Sequence, residues 1–483
     1  MHICIPKRPL LLLLAAMLLL SGCNSDGVET METTAPPTTE QTTETRVPHG
    51  LPALDFQGAH FHTSYLDWQE YAEYFFAHES TGDAMNDAIF DRTTRVEEAL
   101  NVSMTETAYV KSAYLEQANA VKASVQAGDD AYQMALLFCF DYMMTEGYLH
   151  PVDTMPYIDL DATWWNREAM DSLRPGKHYY YCVSDYTIPV PFAVYFNKDM
   201  VKNYALSDPY TLVREGKWTM DTMFDMGLAV AQDVDGDGKY TEGDVVGIAA
   251  HVGSQYINFM TGAGQFVGTK TDDGTITIDM NNERMYTIID KFYQYLIQPC
   301  ALLDTPESTW DDPYGMLGGK ALFRLNSIAL GHHYRDVEEN IGILPYPKLD
   351  EAQEDYISLN WGGLMGIPVS IRDPEMVGAV IELLAWESGD TVIPAYYDVL
   401  LDGKLARDED SVAMLDLLFD SFIYDPGLNL LGSKPGVTNL VWTMSTLVAS
   451  QRSTDFASYY AQNEKAALHS VAEFYAALAQ IES

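Results

Sequence analysis

Positive charge is what this chain has least of. Its 483 residues carry 28 Lys+Arg against 70 Asp+Glu, a formal net charge of −42. That field repels a polyanion such as DNA, RNA or an acidic membrane surface, so nucleic-acid binding is excluded as a function class. Cysteine is scarce too, at Cys4, Cys23, Cys139, Cys182 and Cys300. No Cys-x-x-Cys pair or Cys/His cluster has zinc-ligand spacing, and Cys139, inside the apolar stretch 135–140, reads as a buried thiol. Beyond the N-terminus no apolar run reaches the roughly eighteen residues that cross a bilayer. The Gly-x-Ser-x-Gly, His-Glu-x-x-His and P-loop signatures do not occur, and no internal repeat is visible. His332 and His333 are adjacent, which rules out the i,i+4 ligand geometry of a helix. The glycines at 262, 264 and 268 have the wrong spacing for a dinucleotide turn and read as a flexible loop.

Aromatic residues, by contrast, are plentiful: 31 Tyr, 18 Phe and 8 Trp. Set on an acidic surface they suit neutral or cationic ligands that stack and hydrogen-bond. The N-terminus explains the compartment. Lys7 and Arg8 precede an apolar run from Leu10 to Leu20, too short to span a bilayer and of signal-peptide length. It ends in Leu20-Ser21-Gly22-Cys23, which resembles a bacterial lipobox. That resemblance implies cleavage after residue 22, acylation of Cys23 and a membrane anchor of more than one acyl chain. Residues 24–50 hold eight Thr and three Pro with few large apolar side chains, a solvated tether from 23 to 50.

From about Leu51 the pattern is that of a folded α/β unit. Alternation over 59–65 predicts a strand, and Met85, Ile89, Val96 and Leu100 mark one face of a helix over 86–100. An extended segment opens at Val102, a helix covers 112–126 and a buried strand 132–138. Strand–helix–strand–helix–strand predicts a parallel sheet. Later segments predict a strand over 190–197 and helices over 219–232 and 283–296. Asp373-Pro374 predicts the N-cap and first residue of another, and a helical tail runs from Phe456 to Leu478.

The strongest local motif is Asp233-Val-Asp235-Gly-Asp237-Gly238-Lys239-Tyr-Thr241-Glu-Gly-Asp244. Carboxylates at loop positions 1, 3 and 5, a glycine at 6, a backbone carbonyl from Lys239 and a final carboxylate at 12 follow a Ca²⁺ loop. Thr241 occupies position 9, and Asp244 replaces the usual Glu. The segment after it reads as extended rather than helical, so this is half of an EF-hand, suited to structural Ca²⁺ rather than signalling.

Several segments together resemble the family 1 extracellular solute-binding proteins of ABC importers. They are the lipobox and tether, residues 82–89 (Gly-Asp-Ala-Met-Asn-Asp-Ala-Ile) and Tyr195-Phe196-Asn197-Lys198-Asp199. To these add Glu215-Gly216-Lys217-Trp218-Thr219, Gly318-Gly319-Lys320-Ala321-Leu322-Phe323 and Leu344-Pro345-Tyr346-Pro347-Lys348. The resemblance runs from Cys23 to about Trp386. It implies a two-lobed periplasmic-binding-protein-like fold of type II, with lobe 1 at 51–190 and 325–385 and lobe 2 at 191–324 and 386–483. It also implies a monomer that captures a solute, often a sugar or oligosaccharide, in a cleft and delivers it to an ABC permease without catalysis.

Ligands in open α/β folds sit beyond strand ends and at domain interfaces. The expected first-lobe wall is therefore Tyr65, Trp68, Asp141, Tyr142, Asp185, Tyr186 and Trp361, with Tyr256 and Trp310 opposite. A sugar offers its C–H face to an aromatic ring and its hydroxyls to carboxylates. Two other readings compete. A surface-anchored glycan hydrolase would turn its substrate over. A dockerin-like adhesion module would need a second Asp-rich loop, which the sequence does not contain.

Overall fold

Hydrophobic alternation and capping residues set the elements where the sequence places them. The computed structural model describes residues 49–67, 75–110, 114–137, 141–241, 243–250, 253–298, 302–304, 318–329, 331, 338–360, 363–402 and 408–483. The compact unit begins at Leu51. Its first part runs β1 (Ala59–Asp67), α1 (Ala84–Leu100), β2 (Val102–Val110), α2 (Tyr114–Ala127), β3 (Met134–Leu137), α3 (Asp141–Thr145) and α4 (Arg167–Ser172). Then follow β4 (Phe192–Asn197), α5 (Lys198–Asn203), α6 (Pro209–Arg214), α7 (Met220–Val230), β5 (Val246–Ala250) and α8 (Ser254–Gly262). A hairpin of β6 (Gly268–Lys270) and β7 (Ile276–Ile278) leads to α9 (Glu283–Leu296), β8 (Leu302–Asp304), β9 (Ala321–Ser327) and β10 (Ile341–Leu344). The last part holds β11 (Ser358–Leu359), β12 (Leu364–Gly366), α10 (Pro374–Asp390), α11 (Val392–Asp402), α12 (Glu409–Ser421) and β13 (Phe422–Ile423). It ends in α13 (Pro426–Leu431), α14 (Val437–Val441) and α15 (Phe456–Ile481).

Local chemistry accounts for the helix starts. Asp83, Thr219, Asn282, Asp373 and Asp455 each accept a backbone N–H of the first turn, filling donors that a helix leaves open. Pro374 takes the first helical position, where no N–H is needed.

The strands form two main sheets. One has the order β12-β3-β1-β2, the other β10-β4-β9-β5-β8. In the first, β1 runs parallel to β2 and β3 while β12 is antiparallel. In the second, β5 runs parallel to β8 and β9, whereas β4 is antiparallel to β9 and β10. Helices α1 and α10 pack together beside the first sheet, and α7 lies on β5.

The lobe boundaries differ from those the resemblance implies. Both β9 and β10 pair with β4, so the chain is still in the second sheet at 344, well past the expected return at 325. It rejoins the first sheet only at β12. Likewise α11 packs on α1 and α10, and α12 lies against β10. Helix α15 contacts α3 and β7, so the tail is shared between regions. The motif at 318–323 marks entry to a central strand of the second sheet, because its apolar run Ala321-Leu322-Phe323 needs burial on both faces.

Helix α7 reaches β5 through two glycines. A Cβ at Gly247 would stand 2.6 Å from the Cα of Gly227. Gly247→Ala must therefore push helix from strand, costing about 1–3 kcal/mol. A lower urea midpoint with unchanged slope is the expected result, and an unchanged midpoint would disprove the close approach.

Candidate functional site

Two chain segments run between the two sheets, one leading into β4 and one from β10 through β11 to β12, and β13 lies beside them. Leaving the first sheet, Pro191 bridges Asn360. Returning, β11 runs parallel to β13, and the Asn360 N–H donates to the Ile423 carbonyl at 2.9 Å. The Asn360 side chain accepts from the Val190 N–H at 2.8 Å. The end of β9 is tied in as well: the Ile328 N–H donates to Pro191 at 3.0 Å, and Tyr195 Oη donates to the Ser327 carbonyl at 2.8 Å. Any rotation of one sheet against the other must bend these segments. This is the arrangement that hinge closure around a ligand requires.

The expected wall residues fall into three groups. Trp68, Trp310 and Trp361 lie outside the described residues. Asp141 and Tyr142 open α3, directly after β3. The others are placed in detail. Tyr65 and Tyr186 come together through Phe75, whose ring centroid is 5.8 Å from each. Both are buried, and Tyr186, 1% exposed, also carries the Arg92 guanidinium 4.7 Å above its ring. Tyr256, also 1% exposed, meets Phe292 edge-on at 5.0 Å. Tyr65, Tyr186 and Tyr256 are therefore corrected from open wall to aromatic core, since all three are buried. Asp185 is half-buried against α10, where a Cβ at Gly389 would stand 2.5 Å from its carboxylate. The sequence reading missed Asn360 and Arg92. Arg92 had a signal: it sits three residues after Ile89 and four before Val96, inside the buried stripe of α1.

The Asp-rich loop folds as its spacing predicts at positions 1, 3 and 5. Carboxylate oxygens of Asp233, Asp235 and Asp237 lie within 4.8 Å of one another. Asp233 accepts the N–H groups of Gly236 (2.7 Å) and Gly238 (2.8 Å), and both glycines have positive φ. Position 12 differs. Asp244 accepts from the Val234 N–H (2.8 Å), the Thr241 N–H (2.9 Å) and Thr241 Oγ1 (3.1 Å). These bonds hold its carboxyl below the usual carboxylate range and close the loop above the Gln232–Val245 bridge. Asp244 and Thr241 thus fasten the loop, and Asp244 is not among the three carboxylates that cluster. Lys239 donates its N–H to Asp237 at 2.8 Å.

No protein-family model and no curated protein sequence matches the chain. Solved structures do. UgpB from Mycobacterium tuberculosis, in complex with glycerophosphocholine, is similar at TM-score 0.58 and 14% identity, covering 86% of this chain and 98% of that one. An ABC substrate-binding protein from Listeria monocytogenes, in complex with cycloalternan, is similar at TM-score 0.57 and 13% identity over 86% and 98%. The chain has the fold of ABC-transporter solute-binding proteins. The GacH receptor of Streptomyces glaucescens, solved with acarbose, shares this solute-binding fold at TM-score 0.55 and 13% identity over 87% and 98%.

Within this solute-binding fold two of the buried carboxylates, among the described residues, are raised by burial. Asp425 accepts four N–H groups, from Val267, Gly268, Gly427 and Leu428, and fixes α13 to the start of β6; burial nevertheless pushes its carboxyl up to about 6. Glu382 of α10 accepts the indole N–H of Trp164 on one oxygen and of Trp165 on the other, each at 3.0 Å, with the Asp159 N–H at 3.3 Å. Burial is the largest influence and raises Glu382 from 4.5 to about 7. Its folded pKa lies above its unfolded value, so its stabilising contribution is complete below about pH 4.5 and is lost as pH rises through about 7. Across that window it should remove about 1.4 kcal/mol of stability per pH unit. Glu382→Gln should flatten this part of the pH–stability curve in denaturant melts between pH 5 and 8. A parallel pair of curves would show that Glu382 does not titrate there.

Proposed function

We propose that the protein captures a solute outside the cytoplasm, a sugar or oligosaccharide, and hands it to an ABC permease while anchored to the membrane through acylated Cys23. The observation that carries this reading is the narrow junction at Asn360 between two α/β sheets, in a fold whose solved examples hold cycloalternan, acarbose and maltotetraose. Closure of such a cleft buries a ligand without transforming it, and the similar structures are binding proteins. Among the described residues no helix is long and apolar enough to cross a membrane, which fits an anchor supplied by lipid. The residues Trp68, Asp141, Tyr142, Asp185, Trp310 and Trp361 are proposed to line the cleft, and Asp233, Asp235 and Asp237, with Lys239, Thr241 and Asp244 completing the loop, are proposed to hold a structural Ca²⁺.

Melting the soluble domain with a panel of oligosaccharides tests the function. A true ligand raises stability as RT ln(1 + [L]/Kd), about 2.7 kcal/mol at a hundredfold excess over Kd, with no product formed. Turnover of any glycan would establish an enzyme instead. For the loop, EDTA should lower Tm and Ca²⁺ restore it, and Asp233→Ala with Asp235→Ala should remove the difference. A wild-type Tm indifferent to EDTA would leave the loop a turn.

A further inference from the structure

In a chain with 70 Asp+Glu a cation readily finds a carboxylate: Lys122 pairs with Glu146, Lys198 with Asp408 and Lys217 with Glu215. Lys270 does not. It ends β6, and its Nζ donates to the backbone carbonyl of Asp171 at 2.6 Å. Among the described residues no carboxylate oxygen comes within ion-pair distance of that ammonium. Asp171 is the penultimate residue of α4, in a segment joined to the first sheet through the Cys182–Met365 bridge. The hairpin of Lys270 leads into α9, which packs on α7 and through it on β5 of the second sheet. Two lobes therefore meet at one carbonyl.

The same carbonyl also takes the Arg174 backbone N–H at 3.4 Å, which puts Arg174 at the turn that Lys270 touches. The Arg174 guanidinium lies 4.8 Å from the centre of the Tyr179 ring and 3.7 Å from the Asp171 carboxylate. Arg167, 4.9 Å from that ring, is a third cation. Acceptors run out here. One Asp171 oxygen takes the Tyr179 hydroxyl, and the other faces Arg167 Nε at 3.5 Å. Asp161 is engaged by Arg167 as well. The Arg174 side chain makes no hydrogen bond among the described residues, and its buried Nε has no partner. Burial, and then the Arg174 charge, hold the Lys270 ammonium below its ordinary range. Capping the end of α4 accounts for one lysine bond, but not for a second and third cation gathered against mutual repulsion. A guanidinium fork beside an ammonium offers donors in excess of acceptors, which phosphate oxygens match. The Arg174 and Arg167 side chains are 36% and 44% exposed, so the cluster opens to solvent.

We propose that Lys270 and Arg174, with Arg167 beside them, bind a phosphate group, free or carried as a monoester, where the two lobes meet. The site does not depend on the sugar reading and stands or falls without it. Isothermal titration at fixed ionic strength with inorganic phosphate and with glycerol 1-phosphate tests it. The proteins are wild type, Lys270→Met, Arg174→Gln, Lys270→Arg and the charge control Lys217→Met, whose ammonium pairs with Glu215 at 2.8 Å. Each is titrated well below its own Tm, so that unfolding cannot stand in for lost binding. Lys270→Met and Arg174→Gln should each bind about tenfold or more weakly than wild type, because each loses a charge-assisted hydrogen bond. Lys270→Arg and Lys217→Met should stay within about threefold of wild type. Tighter binding of glycerol 1-phosphate assigns the site to a monoester, and tighter binding of inorganic phosphate assigns it to the free ion. Wild type that binds neither probe, or undiminished affinity in either Lys270→Met or Arg174→Gln, overturns the site.

Discussion

Asn360 ties the molecule together where its two sheets meet. Its side chain holds Val190 on the outgoing segment, and its backbone holds Ile423 on β13. It is fully buried, so these bonds act in low dielectric, and losing one would strand a polar group away from water. Around this residue β11 and β13 can pair for only two residues each, which makes the junction narrow. A narrow junction between two well-packed sheets concentrates bending in a few dihedrals, as hinge motion needs.

Each lobe is stiffened by devices that leave the junction as the soft element. Glu382 pins the 159–165 segment to α10 through two indoles, and Asp425 clamps two chain segments through four amides. Both act by gathering backbone or indole N–H donors around one carboxylate, and both accept the desolvation of a buried acid in return. The Asp-rich loop is fastened in the same way by Asp244, which frees the three preceding aspartates to face one another.

Periodicity and capping chemistry were enough to place the helices over 84–100, 220–230, 283–296 and 374–390 and the strands at 59–67 and 192–197 within a few residues, because these are local preferences. The Asp loop was legible for the same reason, down to the convergence of its first three carboxylates. What the sequence could not decide was long-range. Pairing of β9 and β10 with β4 moved the lobe boundary, since strand order depends on partners more than a hundred residues away. Burial of Tyr186 and Tyr256 depended on Phe75, Arg92 and Phe292 arriving from other elements. That Asp244 fastens the loop depended on the Val234 and Thr241 N–H groups folding onto it. A side chain's type and spacing are local properties, but whether it faces core, solvent or ligand is set by what the rest of the chain packs against it.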